Sequence, residues 1–266
     1  MELTVVLQLI ALGIIAGIAS GLLGIGGGGI MVPVLTSLFI SIGIPSDQVV
    51  HLALGTSMAA IVITSISSAR AHHRNQNVIW SVVKNVSPGI VVGAFAATFL
   101  VAQLSTMFLG MFFAVFMAIV AVQMFKNSKP KPSRMLPNPL GLSVVGSGIG
   151  AISSMVSIGG GSMSVPYLVW HNVHIKQAIG TSAALGVAIS IAGSAGFVYN
   201  GWAQVTNDSF IIGFIYWPAV LIISSCTMIF APMGANWANR LPVATLKKVF
   251  ACLLLLLSLK MCIQLW

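Results

Sequence analysis

Two glycine clusters, each followed by a proline, are the residues of this 266-residue chain best suited to do chemistry. Gly24-Ile25-Gly26-Gly27-Gly28-Gly29 leads into Val32-Pro33, and Ile158-Gly159-Gly160-Gly161-Ser162 leads into Val165-Pro166. Consecutive glycines leave backbone N–H groups uncovered, and a helix starting behind them adds the positive end of its dipole, so each cluster suits an anion. A second matched pair, Gly55-Thr56-Ser57 and Gly180-Thr181-Ser182, places adjacent hydroxyls in apolar stretches. Such hydroxyls donate to oxyanion oxygens or bond back to their own helix. His51 and Lys176 stand one turn before those glycines, at i and i+4 and so on the same helical face, and both can be cationic. Arg70, His72, His73 and Arg74 form a cationic knot, in which Arg70 and Arg74 are candidates for a funnel that concentrates anions at a cytoplasmic mouth.

Each motif also has a commonplace reading. The glycines permit tight helix crossing, Lys176 reads as a snorkelling interfacial lysine, and His51 reads as a satisfied polar residue near the outer interface. Arg70 and Arg74 also serve simply to orient the chain. The G-x-G-x-x-G within Gly24 to Gly29 lacks the preceding strand and the well-placed acid of a dinucleotide fingerprint. Recurrence of the whole cluster with its proline favours a site.

What is missing narrows the chemistry. The only acids are Glu2, Asp47 and Asp208, and none lies inside an apolar run, where proton- and cation-coupled transporters keep their carboxylates. An anion is therefore the expected substrate class. Cys226, Cys252 and Cys262 lack CxxC or His-paired spacing and read as packing residues, and His72-His73 lacks a carboxylate or thiol, so neither metal nor cofactor is expected. Charged residues make up 6% and apolar residues 58% of the chain, with a mean hydropathy of +1.03, which leaves too little polar surface for a water-soluble globule. The net charge of +9 sits in short connections, as the positive-inside rule requires of a multispanning protein, and no basic face with interleaved aromatics offers itself to nucleic acid.

The elements that must position these residues are apolar runs at about 3–24, 30–43, 48–69, 80–103, 105–125, 140–157, 163–170, 177–199, 209–231 and 246–266. The runs starting at Ile30 and Met163 are too short to span a bilayer and follow the glycine clusters. Lys126 to Arg134, rich in Lys and Pro, reads as a stiff linker between two halves. The halves repeat: Gly26 to Gly29 recurs 133 positions later as Gly159 to Ser162, and Gly13, Gly17 and Gly21 meet Gly146, Gly150 and Ser154 at that offset. The expected organisation is repeat 1 over 1–125, a basic cytoplasmic linker over 126–138 and repeat 2 over 139–266.

Arg70, Arg74 and Lys84 precede a pair of apolar runs and Lys126 to Arg134 follow it, so that pair is a hairpin turning outside near Gln103. The run from Gln48 then goes outside to inside, while the run after Lys176 goes inside to outside. This predicts an all-α membrane protein of two inverted repeats, about five segments each and 8–10 in total. The glycine-rich pairs cross twice or re-enter as hairpins; a parallel 4+4 arrangement is the alternative. The amino terminus lacks a basic n-region and is expected to remain in the mature protein.

The glycine turn with Pro33, the stretch His51-Leu52-Ala53-Leu54-Gly55-Thr56-Ser57, Ala69-Arg70-Ala71-His72-His73-Arg74 and Gln177-Ala178-Ile179-Gly180-Thr181-Ser182 together resemble the sulfite exporter TauE/SafE family. That resemblance implies a multi-pass transporter of the bacterial inner membrane that moves sulfite, sulfoacetate or another C2 organosulfonate outward. The expected partners are the small sulfur-containing anion and the lipid bilayer, with a homodimer left open. Two rivals remain: a transporter of another small organic anion, and a membrane-embedded enzyme acting on a phosphate-bearing lipid. The enzyme would need a nucleophile or an acid–base pair, which the sequence does not supply on a convincing spacing.

Overall fold

The computed structural model describes residues 2–126, 135–202, 210–238 and 243–265. Most of the basic linker, Arg240 and residues 203–209 lie outside these described residues. The chain forms α1 (Leu3–Leu23), α2 (Gly28–Ser41), α3 (Val49–Arg74), α4 (Trp80–Gln103), α5 (Thr106–Lys126), α6 (Pro139–Met155), α7 (Gly161–Trp170) and α8 (Ile175–Gly201). A two-stranded hairpin, β1 (Ile211–Ile212) and β2 (Ile215–Tyr216), precedes α9 (Trp217–Trp237) and α10 (Val243–Leu265). Each predicted run therefore contains a helix. The ninth starts later than expected because residues 210–216, apolar enough to read as helix, turn at Gly213 in the left-handed region and pair Ile211 with Tyr216.

The protein is an all-α integral membrane protein. Among the described residues six helices (α1, α3, α4, α5, α8 and α9) are long and apolar enough to cross a bilayer. At 1.5 Å per residue α2 and α7 reach only about 21 and 15 Å, against a hydrocarbon core of about 30 Å, so neither crosses. The outward faces are apolar: Val92, Val115, Leu221 and Leu256 each leave over half their surface uncovered. In contrast α3 is 83% and α8 67% buried over their most apolar windows, against 39% for α5, which makes α3 and α8 the central pair.

Local chemistry fixes the helix ends. Asn138 caps α6 by accepting from Gly141 N–H at 2.8 Å, with Pro139 at the first position, where its missing N–H costs nothing. Gly24 ends α1 in the left-handed conformation and donates to Ser20 O at 2.7 Å. The N-caps of α2 and α7, Gly27 and Gly160, share that conformation at φ 80° and 82°.

Small residues set the packing of the long helices. Gly13, Gly17 and Gly21 of α1 lie against Ile223, Thr227 and Ala231 of α9, in step, so these two helices run parallel. Gly146 and Gly150 of α6 lie against Val86 and Ile90 of α4 in the same way. Because Thr64 bonds Thr227 and Asn75 bonds Asn236, α3 runs with α9; Thr181 bonds Ile79 just ahead of α4 and Gly196 lies against Thr98 near its end, so α8 runs with α4. Close approach of such faces is how membrane helices gain dispersion energy without a hydrophobic drive. The result is one set, α1, α3 and α9, running opposite to α4, α6 and α8.

Candidate anion site

The two glycine turns touch each other. A methyl group on Gly26 would lie 2.7 Å from the Cα of Gly159, and one on Gly159 would lie 2.8 Å from the Cα of Gly26. Gly159 N–H donates to Ile25 O at 3.0 Å, tying the turns together through their backbones. Both lie halfway along the central helices: Gly26 faces Ile61 of α3 and Gly159 O faces Gly186 of α8, residues 13 of 26 and 12 of 27 in their helices. Glu2 and Ser41 to Ile44 line one shared pocket, so α1 and α2 begin and end on the same side of the molecule.

Donors from neighbouring helices meet the carbonyls that end α1. His72 Nε2 donates to Gly21 O at 3.0 Å, and Ser182 Oγ donates to Gly24 O at 3.0 Å. Together with the Gly159 N–H on Ile25 O, these bonds mute the negative end of the α1 dipole beside the α7 N-terminus. There the first intrahelical bonds are made by Met163 and Ser164 N–H to Gly160 O, so the N–H groups of Gly161 and Ser162 have no partner within the helix.

A cavity of about 290 Å³ opens at that N-terminus. Gly161 and Ser162 line it with Ile25 of the α1 turn, Ile179 of α8, and Val120 and Gln123 of α5. The Ser162 hydroxyl is buried without a hydrogen-bond partner. Gly161, Ser162 and Gln123 are the polar members of this otherwise apolar lining. The matching N-terminus of α2 is sealed. Gly28 and Gly161 are alike, a side chain on the first running into Ser157 O and one on the second into Gly24 O, but a side chain on Gly29 would run into the Met117 side chain, with Leu254 beside it. The difference lies in two helix contacts: α2 packs on α10, whereas α7 has no comparable packing on α5, and the cavity lies between them.

The structure scatters the sequence-derived residues over several places. Gly26, Gly27, Gly28, Gly159 and Gly160 build the paired turns, with Gly29 under the sealed side and Gly161 and Ser162 on the open side. The threonines hold loops: Thr56 Oγ1 accepts from Tyr216 N–H at 2.9 Å and Thr181 Oγ1 from Ile79 N–H at 3.0 Å, while Gly55 and Gly180 let Phe214 O and Asn77 O approach. Of the serines, Ser182 serves Gly24 O and Ser57 is buried without a partner. His51 lies apart from the cavity, its Nε2 3.1 Å from both Val101 O and Leu104 O, so it anchors the α4–α5 turn. Lys176 is exposed one turn before the cavity-lining Ile179 on the same helical face and does not itself line the cavity. Arg70 and Arg74 instead line a separate groove between α3 and α9. Gln123 was not anticipated; its signal is a lone amide within the apolar run of α5.

Irregular backbone at membrane depth survives only inside protein or beside a cavity, and a pair of such breaks beside a cavity is the architecture of a membrane transporter. That is the class to which this chain belongs. Its family is the sulfite exporter TauE/SafE family, whose model matches residues 9–261. A probable membrane transporter protein of Haemophilus influenzae is 36% identical over 259 residues, covering 97% of this chain and 98% of that protein. Probable membrane transporter proteins of Methanocaldococcus jannaschii and Bacillus subtilis (YdhB) are each 26% identical, covering 95% and 87% of this chain and 94% and 89% of their own. No solved structure gives a significant match.

Proposed function

We propose that the protein exports a small sulfur-containing anion, such as sulfite, sulfoacetate or another C2 organosulfonate, across the bacterial inner membrane by alternating access. The observation that carries this reading is the open cavity at the α7 N-terminus beside a sealed counterpart at α2. If 1–125 and 139–266 are inverted repeats joined by the linker 126–138, then α1 matches α6, α2 matches α7, and so on to α5 and α10. Under that pairing α4 on α6 answers α1 on α9, and α3 on α9 answers α8 on α4. Contacts without a comparable answer include α1 on α2, α3 on α5 and, the most extensive of them, α2 on α10, whose answer, α7 on α5, is replaced by the cavity. Exchange of those two contacts would close the cavity on the side of Arg74 and Trp80 and open its mate on the side of Asp47.

Export by this route needs no coupling ion. A monoanion gains about 2.3 kcal/mol from 100 mV, inside negative, which supports roughly 50-fold accumulation outside. Lys176, one turn before Ile179, raises the local anion concentration, and the site itself holds the anion through hydrogen bonds alone. The test uses purified protein in vesicles loaded with radiolabelled sulfite, with a potential imposed by potassium and valinomycin. Label leaving chemically unchanged, faster with the potential than without, is the expected result. Label that stays inside, or emerges only as a modified compound, would overturn the reading, the second outcome in favour of a membrane enzyme.

A further inference from the structure

Arg70 and Arg74 sit one turn apart on the last two turns of α3 and are exposed. They line a groove of about 360 Å³ against α9, with Ile63 and Ile66 of α3 and Met228 and Pro232 of α9 beneath them. None of its lining residues is shared with the cavity at α7, so the two cations do not guard that opening. No carboxylate answers them among the described residues, because Glu2 and Asp47 lie at the far end, the whole length of α3 or about 39 Å away.

The groove is built to be apolar below and cationic above. Pro232 has no N–H to give to Met228 O, and Ser67 Oγ donates to that carbonyl at 2.9 Å, so the floor presents no unsatisfied backbone acceptor. Ile63 and Met228 are 38% and 60% exposed, open to the side where acyl chains lie. Two guanidinium forks one turn apart match the oxygens of a phosphate better than point charges do. The helix C-terminal dipole favours both arginines at this end but supplies no counter-ion of full charge.

We propose that Arg70 and Arg74 bind the phosphate of an anionic phospholipid of the cytoplasmic leaflet, with its acyl chains over Ile63, Ile66, Met228 and Pro232. Such a lipid fixes the α3–α9 contact and places the basic end of α3 at the headgroup layer. Occupation by a soluble anion would leave the apolar floor uncovered.

Native mass spectrometry of the full-length protein decides it, with phosphatidylglycerol and phosphatidylcholine of identical chains offered together, and with soluble glycerol phosphate in a separate arm. Phosphatidylglycerol should bind about 30-fold in preference at low salt, the effect expected of two arginines near an anionic headgroup. Arg70→Gln with Arg74→Gln should bring the preference close to onefold, and Arg70→Lys with Arg74→Lys, which keeps the charge needed for insertion, should leave an intermediate one. If the glutamine variant fails to insert, a lysine variant with undiminished preference overturns the proposal. Equal binding of both lipids by the unmodified protein, or a glutamine variant that keeps the preference, also overturns it. Displacement of phosphatidylglycerol by glycerol phosphate would assign the arginines to soluble anions instead.

Discussion

At the scale of single residues, the glycines separate into those that permit contact and those that do not matter. Gly28→Ala would put a methyl group into Ser157 O, backbone that cannot move without parting the two turns, whereas Gly148 has open space where its side chain would be. Gly28→Ala should therefore destabilise by ~2 kcal/mol or more, and Gly148→Ala should be neutral or stabilise by up to ~1 kcal/mol. Thermal unfolding in detergent measures both, and equal midpoints for the two variants would contradict the turn-to-turn packing.

Ser162→Ala removes the free hydroxyl of the cavity without disturbing a bond, so the fold should hold. A hydrogen bond to a charged group contributes ~1.5–3 kcal/mol, so sulfite binding should weaken by about 10- to 100-fold in calorimetry. Lys176→Gln should lower flux several-fold at low salt and much less at 0.5 M salt, since it acts through a screened field rather than contact. The types of these residues were readable in the sequence. What His51 and His72 hold was not, because Val101, Leu104 and Gly21 are backbone partners 50 or more positions away with no side-chain signature.

At the scale of elements, hydropathy alone located the ten helices of the described residues, since each must present an apolar face to lipid or core and each apolar run is bounded by Gly, Pro or charge. The β1–β2 hairpin escaped because its residues are as apolar as those of α9. Its signal was present, as Gly213-Phe214 are two turn residues between Ile211-Ile212 and Ile215-Tyr216. That hairpin explains the threonine of Gly55-Thr56-Ser57, which meets Tyr216 N–H as Thr181 meets Ile79 N–H ahead of α4. Thr56→Val keeps shape but leaves a buried N–H unpaired, at a cost of ~1–3 kcal/mol. The expected outcome is a lower unfolding midpoint with sulfite affinity intact; lost affinity with an unchanged midpoint would return Thr56 to the anion site.

At the scale of the whole molecule, helix directions follow from contacts between glycines and carbonyls that the sequence could only suggest through its repeated spacing. The depth of the glycine turns was open between crossing and re-entry, and Gly26 against Gly159, halfway along α3 and α8, favours re-entrant hairpins from opposite sides. Orientation rests on charge. Ser46→Cys should react with an impermeant thiol reagent from outside and Gln76→Cys only from inside, both being exposed at opposite ends of α3, in a background with the three native cysteines replaced. Equal labelling from one side would contradict the arrangement.

On the proposed route, transport proceeds by exchange of the α2–α10 contact for an α5–α7 contact. Ser37 Oγ and Gln264 Oε1 lie 2.6 Å apart across α2 and α10, and Asn75 Nδ2 and Asn236 Oδ1 lie 3.3 Å apart across α3 and α9, a contact with its counterpart already in place. Cysteines at each pair, in a cysteine-free background and joined by a short reducible cross-linker in sulfite-loaded vesicles, isolate the exchange. Cross-linking at 37 and 264 should bring sulfite flux to background and reduction should restore it, while cross-linking at 75 and 236 should leave flux unchanged. Full flux through protein locked at 37 and 264 would contradict the account.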